Sequence, residues 1–118
     1  MNKHTMILFT RFGMGDAPVD LPQKLAGTFL TLLDQHAHGN SDGLPGVLAF
    51  YGEGVKLACE GSPVLDQLRA LETRGAHLIL CQTCLNYFGL REAVRVGIVG
   101  GMGDIMAALD LAQKVISL

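Results

Sequence analysis

Short runs of consecutive apolar residues alternate with amphipathic segments along this chain, and this alternation constrains the fold more than any other feature. The predicted strands are residues 5–10, 47–51, 76–80, 94–99 and 114–118. The first runs are continuous rather than alternating, which is typical of strands covered on both faces of a parallel sheet. The pattern predicts an α/β fold, in which residues 1–118 form a single three-layer domain with about five mainly parallel strands.

The segments between the strands carry the start and stop signals of helices. Asp20 is expected to cap the first helix, with Pro22 in its first turn, and Ser62 and Gly75 are expected to bound the second. A short helical segment is expected near residues 85–89. We expect core-facing stripes at Leu25, Phe29, Leu32 and Leu33 in the first helix and at Ile105, Met106, Leu109 and Ala112 in the last.

The composition limits the partners of the chain. Of 118 residues, 49% are hydrophobic and 17% are charged, which is apolar for so small a domain and predicts a homo-oligomer. The net charge is −2 and no basic stripe is present, so nucleic acid is not an expected partner. No apolar run approaches the roughly 20 residues of a membrane helix, so no membrane partner is expected.

Three cysteines and the absence of a signal peptide at the N-terminus predict a cytoplasmic protein with reduced thiols. Two of the cysteines form the C-x-x-C sequence Cys81-Gln82-Thr83-Cys84 directly after the third predicted strand. A helix start at this point would favour a thiolate, the reactive form of cysteine, and would lower its pKa. The two-residue gap lets one thiol attack and the other resolve, so the motif predicts sulfur chemistry at Cys81 and Cys84.

The cysteine pair has other possible interpretations. A structural zinc site normally needs four ligands, and only one such pair is present, so no metal and no cofactor are expected. A thioredoxin-like site is disfavoured because the pair follows the third strand and Pro63 is the last proline. We interpret Cys59 as a packing residue and His77 as a buried, hydrogen-bonded histidine of a strand. His36 and His38 are interpreted as solvated loop residues.

The tetrapeptide Gly-Met-Gly-Asp occurs twice, each time just after a predicted strand. Ligands bind at this edge of open α/β sheets, so both copies are candidates for the wall of a thiol pocket. The alternative is ordinary turn and capping chemistry, with glycines at positive φ. The pocket candidates are Gly13, Met14, Gly15 and Asp16 in the first loop, Gln82 and Thr83 between the cysteines, and Met102 in the second loop.

The sequence resembles the DsrE/DsrF-like family, and most closely the C-terminal DsrE-like domain of YedF-type proteins. The resemblance covers nearly the whole chain and is strongest over residues 47–118. It is carried by residues 61–65, by Leu80 to Leu85 with both cysteines, by Gly89-Leu90, and by the tail from Val96 to Met102. That branch commonly has Cys-Gly-Thr-Cys where this chain has Gln82. YedF-type proteins usually also carry an N-terminal TusA-like domain, to which no part of this sequence corresponds.

The resemblance implies a sulfur-relay protein, sulfurtransferase-like, that assembles into trimers or hexamers. It implies that Cys81 carries sulfane sulfur as a persulfide, which passes from a donor to an acceptor protein or small thiol. It also places the first Gly-Met-Gly-Asp loop beside the cysteines. Two alternatives remain at this point: a dithiol switch that never holds sulfane sulfur, and a non-catalytic oligomeric binding module of the same fold.

Overall fold

The computed structural model describes residues 1–18, 20–37 and 43–118. One five-stranded sheet forms the centre, with strands β1 (Thr5–Phe9), β2 (Val47–Phe50), β3 (His77–Cys81), β4 (Ile98–Gly100) and β5 (Lys114–Ser117). The strand order is β4-β3-β2-β1-β5, and all four neighbouring pairs are parallel. The predicted fold class, a single α/β domain around a parallel sheet, is therefore confirmed.

Helices connect the strands. They are α1 (Leu21–His36), α2 (Leu65–Thr73), α3 (Gln82–Phe88) and α4 (Met102–Leu111), with short 3₁₀ helices at Gly52–Ala58 and Arg91–Ala93. Across the three described ranges, none of the helices is both long enough and apolar enough to cross a membrane.

The three layers follow from the strand order and the right-handedness of parallel crossovers. The chain steps from β1 to β4 in one direction, and α1 and α2 pack against each other on one face of the sheet. It then returns past β1 to β5, so α4 lies on the opposite face, where it contacts β3 and β4. Among the residues that the structure describes, α4 is therefore the helix that covers the second face.

The two faces of the sheet differ in burial. On the α1–α2 face the rings of Phe9 and Phe50 stack with centroids 5.3 Å apart, and Leu78 and Leu80 are almost completely buried. Along β3 the intervening side chains are less buried, as strand alternation predicts for the other face. Ile98, on the edge strand β4, is on that face and is 63% exposed. The α4 face is thus closed only in part by this chain.

The predicted core stripes of α1 and α4 are wrong in half of their positions, whereas Phe29 and Leu33 of α1 do pack on the core. In α1 the buried residues are Pro22, Ala26, Leu30 and Leu33, whereas Leu25 and Leu32 are 46% and 56% exposed. In α4 Ile105 is buried and Ala112, just past its end, is partly buried, but Met106 is 62% exposed and Leu109 is 36% exposed. Both helices carry a second apolar stripe, and periodicity alone does not distinguish the stripe that faces the sheet.

Helix and strand ends differ from prediction in local detail. Asp20 occupies the N-cap position of α1, but its carboxylate lies 3.4 Å from the Lys24 ammonium and does not cap the helix. Ser62 Oγ accepts the Val64 N–H at 3.2 Å, and α2 begins only at Leu65. Residues 94–97 are not part of β4, because Gly97 has a φ of +80° and Val94 instead forms an isolated bridge with Cys59.

The orientation of α1 buries Leu30 and exposes Leu32, so substitutions of these two leucines should change the free energy of unfolding by different amounts. Leu30→Ala removes a fully buried side chain and should destabilise the protein by about 2–5 kcal/mol. Leu32→Ala is the matched control and should change the free energy of unfolding by about 0.5 kcal/mol or less, because its side chain is more than half exposed. Urea unfolding followed by circular dichroism measures both. Equal losses would contradict this orientation.

Candidate functional site

The carboxyl edge of the sheet holds the cysteine pair. Cys81 is the last residue of β3 and occupies the N-cap position of α3, and Cys84 is the third residue of that helix. Because the sheet is parallel, the ends of β2 and β4 flank this point on either side. Gly100 at the end of β4 is the register partner of Cys81. The predicted helix start beside the cysteines is confirmed, three residues earlier than expected.

The two thiols are free and differ in exposure. Cys81 is 1% exposed, whereas Cys84 is partly exposed. Cys81 is near enough to Cys84 to raise the pKa of the Cys84 thiol. The Cys84 sulfur accepts a hydrogen bond from the backbone N–H of Gly52, at 3.1 Å. The site is therefore a buried thiol beside a more accessible one that has a backbone donor.

Gly52 is a residue of this site that the sequence alone did not single out. It follows β2 and Tyr51 and begins the 3₁₀ helix Gly52–Ala58, with a φ of +59°. A Cβ on this residue would lie 3.1 Å from the carbonyl oxygen of Thr10, so the turn is packed against the end of β1. The sequence shows only that a glycine follows the strand before the one that carries the cysteines. Glycines at strand ends are too common for this one to be identified as part of a site.

Burial raises the pKa of the Cys84 thiol above its ordinary value. The Gly52 N–H opposes this shift, and the hydrogen bond and charge of Cys81 add to it. Loss of hydration disfavours the thiolate more than one N–H donor favours it. The expected lowering of the pKa by the start of α3 is therefore wrong for Cys84.

The two Gly-Met-Gly-Asp loops follow strands that lie at different distances from the cysteine strand β3. The first follows β1, which is separated from β3 by β2, and it packs on the start of α1 instead. The Met14 N–H donates to the Pro22 carbonyl at 2.9 Å, and a Cβ on Gly13, which has a φ of +141°, would overlap Pro22. Gly15 and Asp16 are exposed. These contacts support the turn interpretation of the first loop.

The second loop lies next to the cysteine strand, through the pairing of Gly100 with Cys81. Its Gly101 N–H donates to the Asp104 carboxylate at 2.8 Å, which is capping chemistry at the start of α4. Met102 is the first residue of that helix and is 48% exposed. Gln82 and Thr83 are exposed in the first turn of α3, beside the cysteines in sequence.

The structure also describes Cys59, His36 and His77. Cys59 is buried, its thiol donates to the Val55 carbonyl at 3.2 Å, and burial raises its pKa, so the packing interpretation is supported. The prediction for His77 is wrong: it is exposed, because it begins β3 on the half-covered face. His36 is exposed at the end of α1, and His38 lies outside the described residues. Within the described ranges, no three His, Cys, Asp or Glu residues are grouped so as to hold a metal ion.

The model of the DsrE/DsrF-like family matches residues 32–118, which include β2 to β5 and both cysteines. The chain belongs to the DsrE/DsrF-like family. This family is generally linked to sulfur relay. No curated protein matches the sequence.

Solved structures share the DsrE-like fold at low sequence identity. The YchN protein from E. coli has a TM-score of 0.71 and 17% identity, with 100% of both chains covered. BT1422 from Bacteroides thetaiotaomicron, a conserved protein of unknown function, has a TM-score of 0.69 and 15% identity over 98% of this chain and 95% of its own. MTH1491 from Methanobacterium thermoautotrophicum, also of unknown function, has a TM-score of 0.64 and 15% identity over 97% of each chain. These likenesses show the fold.

The raised pKa of Cys84 predicts how its reactivity depends on pH. Iodoacetamide attacks the thiolate, so alkylation of Cys84 should rise with pH to a midpoint above the value of about 8.5 for an ordinary cysteine. Cys81→Ala removes a hydrogen bond and a charge that raise this pKa, so the midpoint should fall. Peptide mass spectrometry of Cys84 after timed alkylation measures it.

Cys59→Ala is the control and should leave the midpoint unchanged, because Cys59 bonds to Val55 rather than to the pair. A wild-type midpoint below about 8.5 would show that the donors around Cys84 outweigh its burial.

Proposed function

We propose that this protein carries sulfane sulfur as a persulfide on the Cys81–Cys84 pair and passes it to an acceptor protein or small thiol. The observation that carries the proposal is the site itself: two free thiols three residues apart at the carboxyl edge of the sheet, one of them partly exposed and bonded to the Gly52 N–H. Membership of a family linked to sulfur relay supports it.

The chemistry requires a thiolate, a donor and access. A thiolate attacks the outer sulfur of a donor persulfide, and the donor leaves as a thiol; the acquired sulfur is later attacked by the acceptor in the same way. The protein is then a sulfur carrier that is regenerated at each transfer. The thiols must remain reduced between transfers, which fits a reducing compartment such as the cytoplasm.

A dithiol switch is the second candidate, and the proximity of the two cysteines favours it. Thiols separated by two residues at the start of one helix are placed to form a disulfide when an oxidant removes two electrons. The carrier gains a sulfur atom, whereas the switch loses two hydrogens. The mass of the protein therefore distinguishes the two functions.

We also propose that a second copy of this chain covers the α4 face of the sheet in a homo-oligomer. The exposed side chains of α4 are mostly apolar, and they include Met102, Met106 and Leu111 at 48%, 62% and 81% exposure. Ile98 of β4 is exposed as well. A surface of this kind on a small, apolar chain is typical of a subunit contact.

The mass test of the carrier function uses the reduced protein and glutathione persulfide. The wild-type protein should gain about 32 Da, one sulfur atom, as should the control Cys59→Ser. The double variant Cys81→Ser/Cys84→Ser should gain nothing. A loss of about 2 Da that requires both cysteines, with no gain of 32 Da in either Cys81→Ser or Cys84→Ser, would instead support the dithiol switch. No change of mass in the wild-type protein would rule out both and leave a non-catalytic binding module.

The subunit contact is tested by a charge on α4. Met106→Glu should lower the molecular mass measured by light scattering, with an unchanged circular dichroism spectrum, because burying an unpaired carboxylate in an apolar contact is unfavourable. Leu25→Glu adds the same charge to an exposed apolar residue of α1 and should leave the assembly intact. Dissociation by the Leu25 variant alone would place the contact on α1.

A further inference from the structure

The two cysteines differ in whether a reaction partner can reach them. The Cys81 side chain is 1% exposed, at the point where β3 pairs with β4 and α3 begins. The Cys84 side chain, one turn further along α3, is partly exposed. Thiol exchange requires the attacking sulfur to contact the sulfur that it attacks. A donor persulfide on a protein or a small thiol therefore meets Cys84 first.

The Cys84 sulfur also has a donor suited to a charged sulfur. The Gly52 N–H points at it from 3.1 Å, and a hydrogen bond to an ionised acceptor is stronger than one to a neutral acceptor. This bond stabilises the thiolate of Cys84 both when it attacks and when it leaves. The turn that holds Gly52 is fixed on β1, because the Tyr51 N–H donates to the Phe9 carbonyl at 3.1 Å. The donor is thus held in place before any reaction.

We infer that Cys84 is the thiol that receives and releases the sulfane sulfur, that Gly52 positions and stabilises its sulfur, and that Cys81 is the buried resolving thiol. The inference rests on the proposed carrier function and reverses the roles that the family resemblance gives to the two cysteines. It also explains their different burial, since a resolving thiol needs to reach only its neighbour.

The steps balance as follows. The Cys84 thiolate attacks the outer sulfur of the donor persulfide, a new S–S bond forms on Cys84, and the donor's S–S bond breaks with its electron pair on the departing thiolate. An acceptor thiolate then attacks the outer sulfur, and Cys84 leaves as a thiolate bonded to Gly52. Without an acceptor, Cys81 attacks the Cys84 sulfur, hydrosulfide departs and a disulfide remains. A thiol reductant supplies the two electrons that restore the pair.

Time-resolved intact mass of the whole chain with glutathione persulfide tests the assignment. Cys81→Ser should gain about 32 Da and keep it, because the resolving thiol is gone, whereas Cys84→Ser should gain it at least about tenfold more slowly. Loading that is lost in Cys81→Ser and kept in Cys84→Ser would overturn the assignment and leave the carrier function standing. No gain in the wild-type protein or in either single variant would overturn the carrier function itself. Cys81→Ala and Cys84→Ala, checked by circular dichroism, replace any variant that does not fold.

The role of Gly52 as a donor to Cys84 is tested by substitution, with Gly61, another glycine at positive φ, as the control. Gly52→Ala places a Cβ 3.1 Å from the Thr10 carbonyl and displaces the N–H, so the pH midpoint for alkylation of Cys84 should rise and sulfur loading at neutral pH should slow. Gly61→Ala also adds a side chain at positive φ, +91°, but in open space and away from the pair. Its midpoint should equal that of the wild-type protein. Equal midpoints in the two variants would overturn the role of Gly52.

Discussion

Parallel pairing of the strands is the constraint on which the rest of the structure depends. It requires every strand to end at the same edge of the sheet, so the residues that follow β2, β3 and β4 meet there although they are distant in sequence. Cys84 and Gly52 are 32 residues apart and share a hydrogen bond for this reason. The chain needs no dedicated loop to build the site, because the ends of adjacent strands supply it.

The same topology leaves the sheet unevenly covered. Three successive crossovers in one direction place α1 and α2 side by side, whereas the single return to β5 leaves α4 alone on the other face. Because fewer helices pack on the α4 face, Ile98 and Met106 are exposed there. The start of β3 at His77 is exposed for the same reason. The apolar residues that the half-covered face exposes contribute to the unusually apolar composition of the chain. Both observations are consistent with a subunit contact.

Burial and reactivity oppose each other at the cysteine pair. A buried sulfur is protected from unspecific oxidation, but desolvation disfavours its thiolate, and the pKa of Cys84 is raised for this reason even with the Gly52 N–H beside it. In the proposed function, the partly exposed thiol provides access and the buried thiol provides resolution. The Gly52 N–H donates to the Cys84 sulfur, where stabilisation of a thiolate would affect both attack and departure.

The sequence by itself determined the succession of strands and helices along the chain, the parallel character of the sheet, and the position of the cysteine pair at the start of a helix. Those features are local: continuous apolar runs, capping residues and the motif at Cys81 to Cys84 are each contained in a few neighbouring residues. Only the tertiary structure decided which apolar stripe of α1 faces the core, because Leu25 and Leu30 have equal hydrophobic character and differ only in what lies opposite them. It also decided that the Gly52 N–H donates to the Cys84 sulfur. Strand order sets which loops are neighbours, and that order is a property of the long-range packing, on which no local pattern reports.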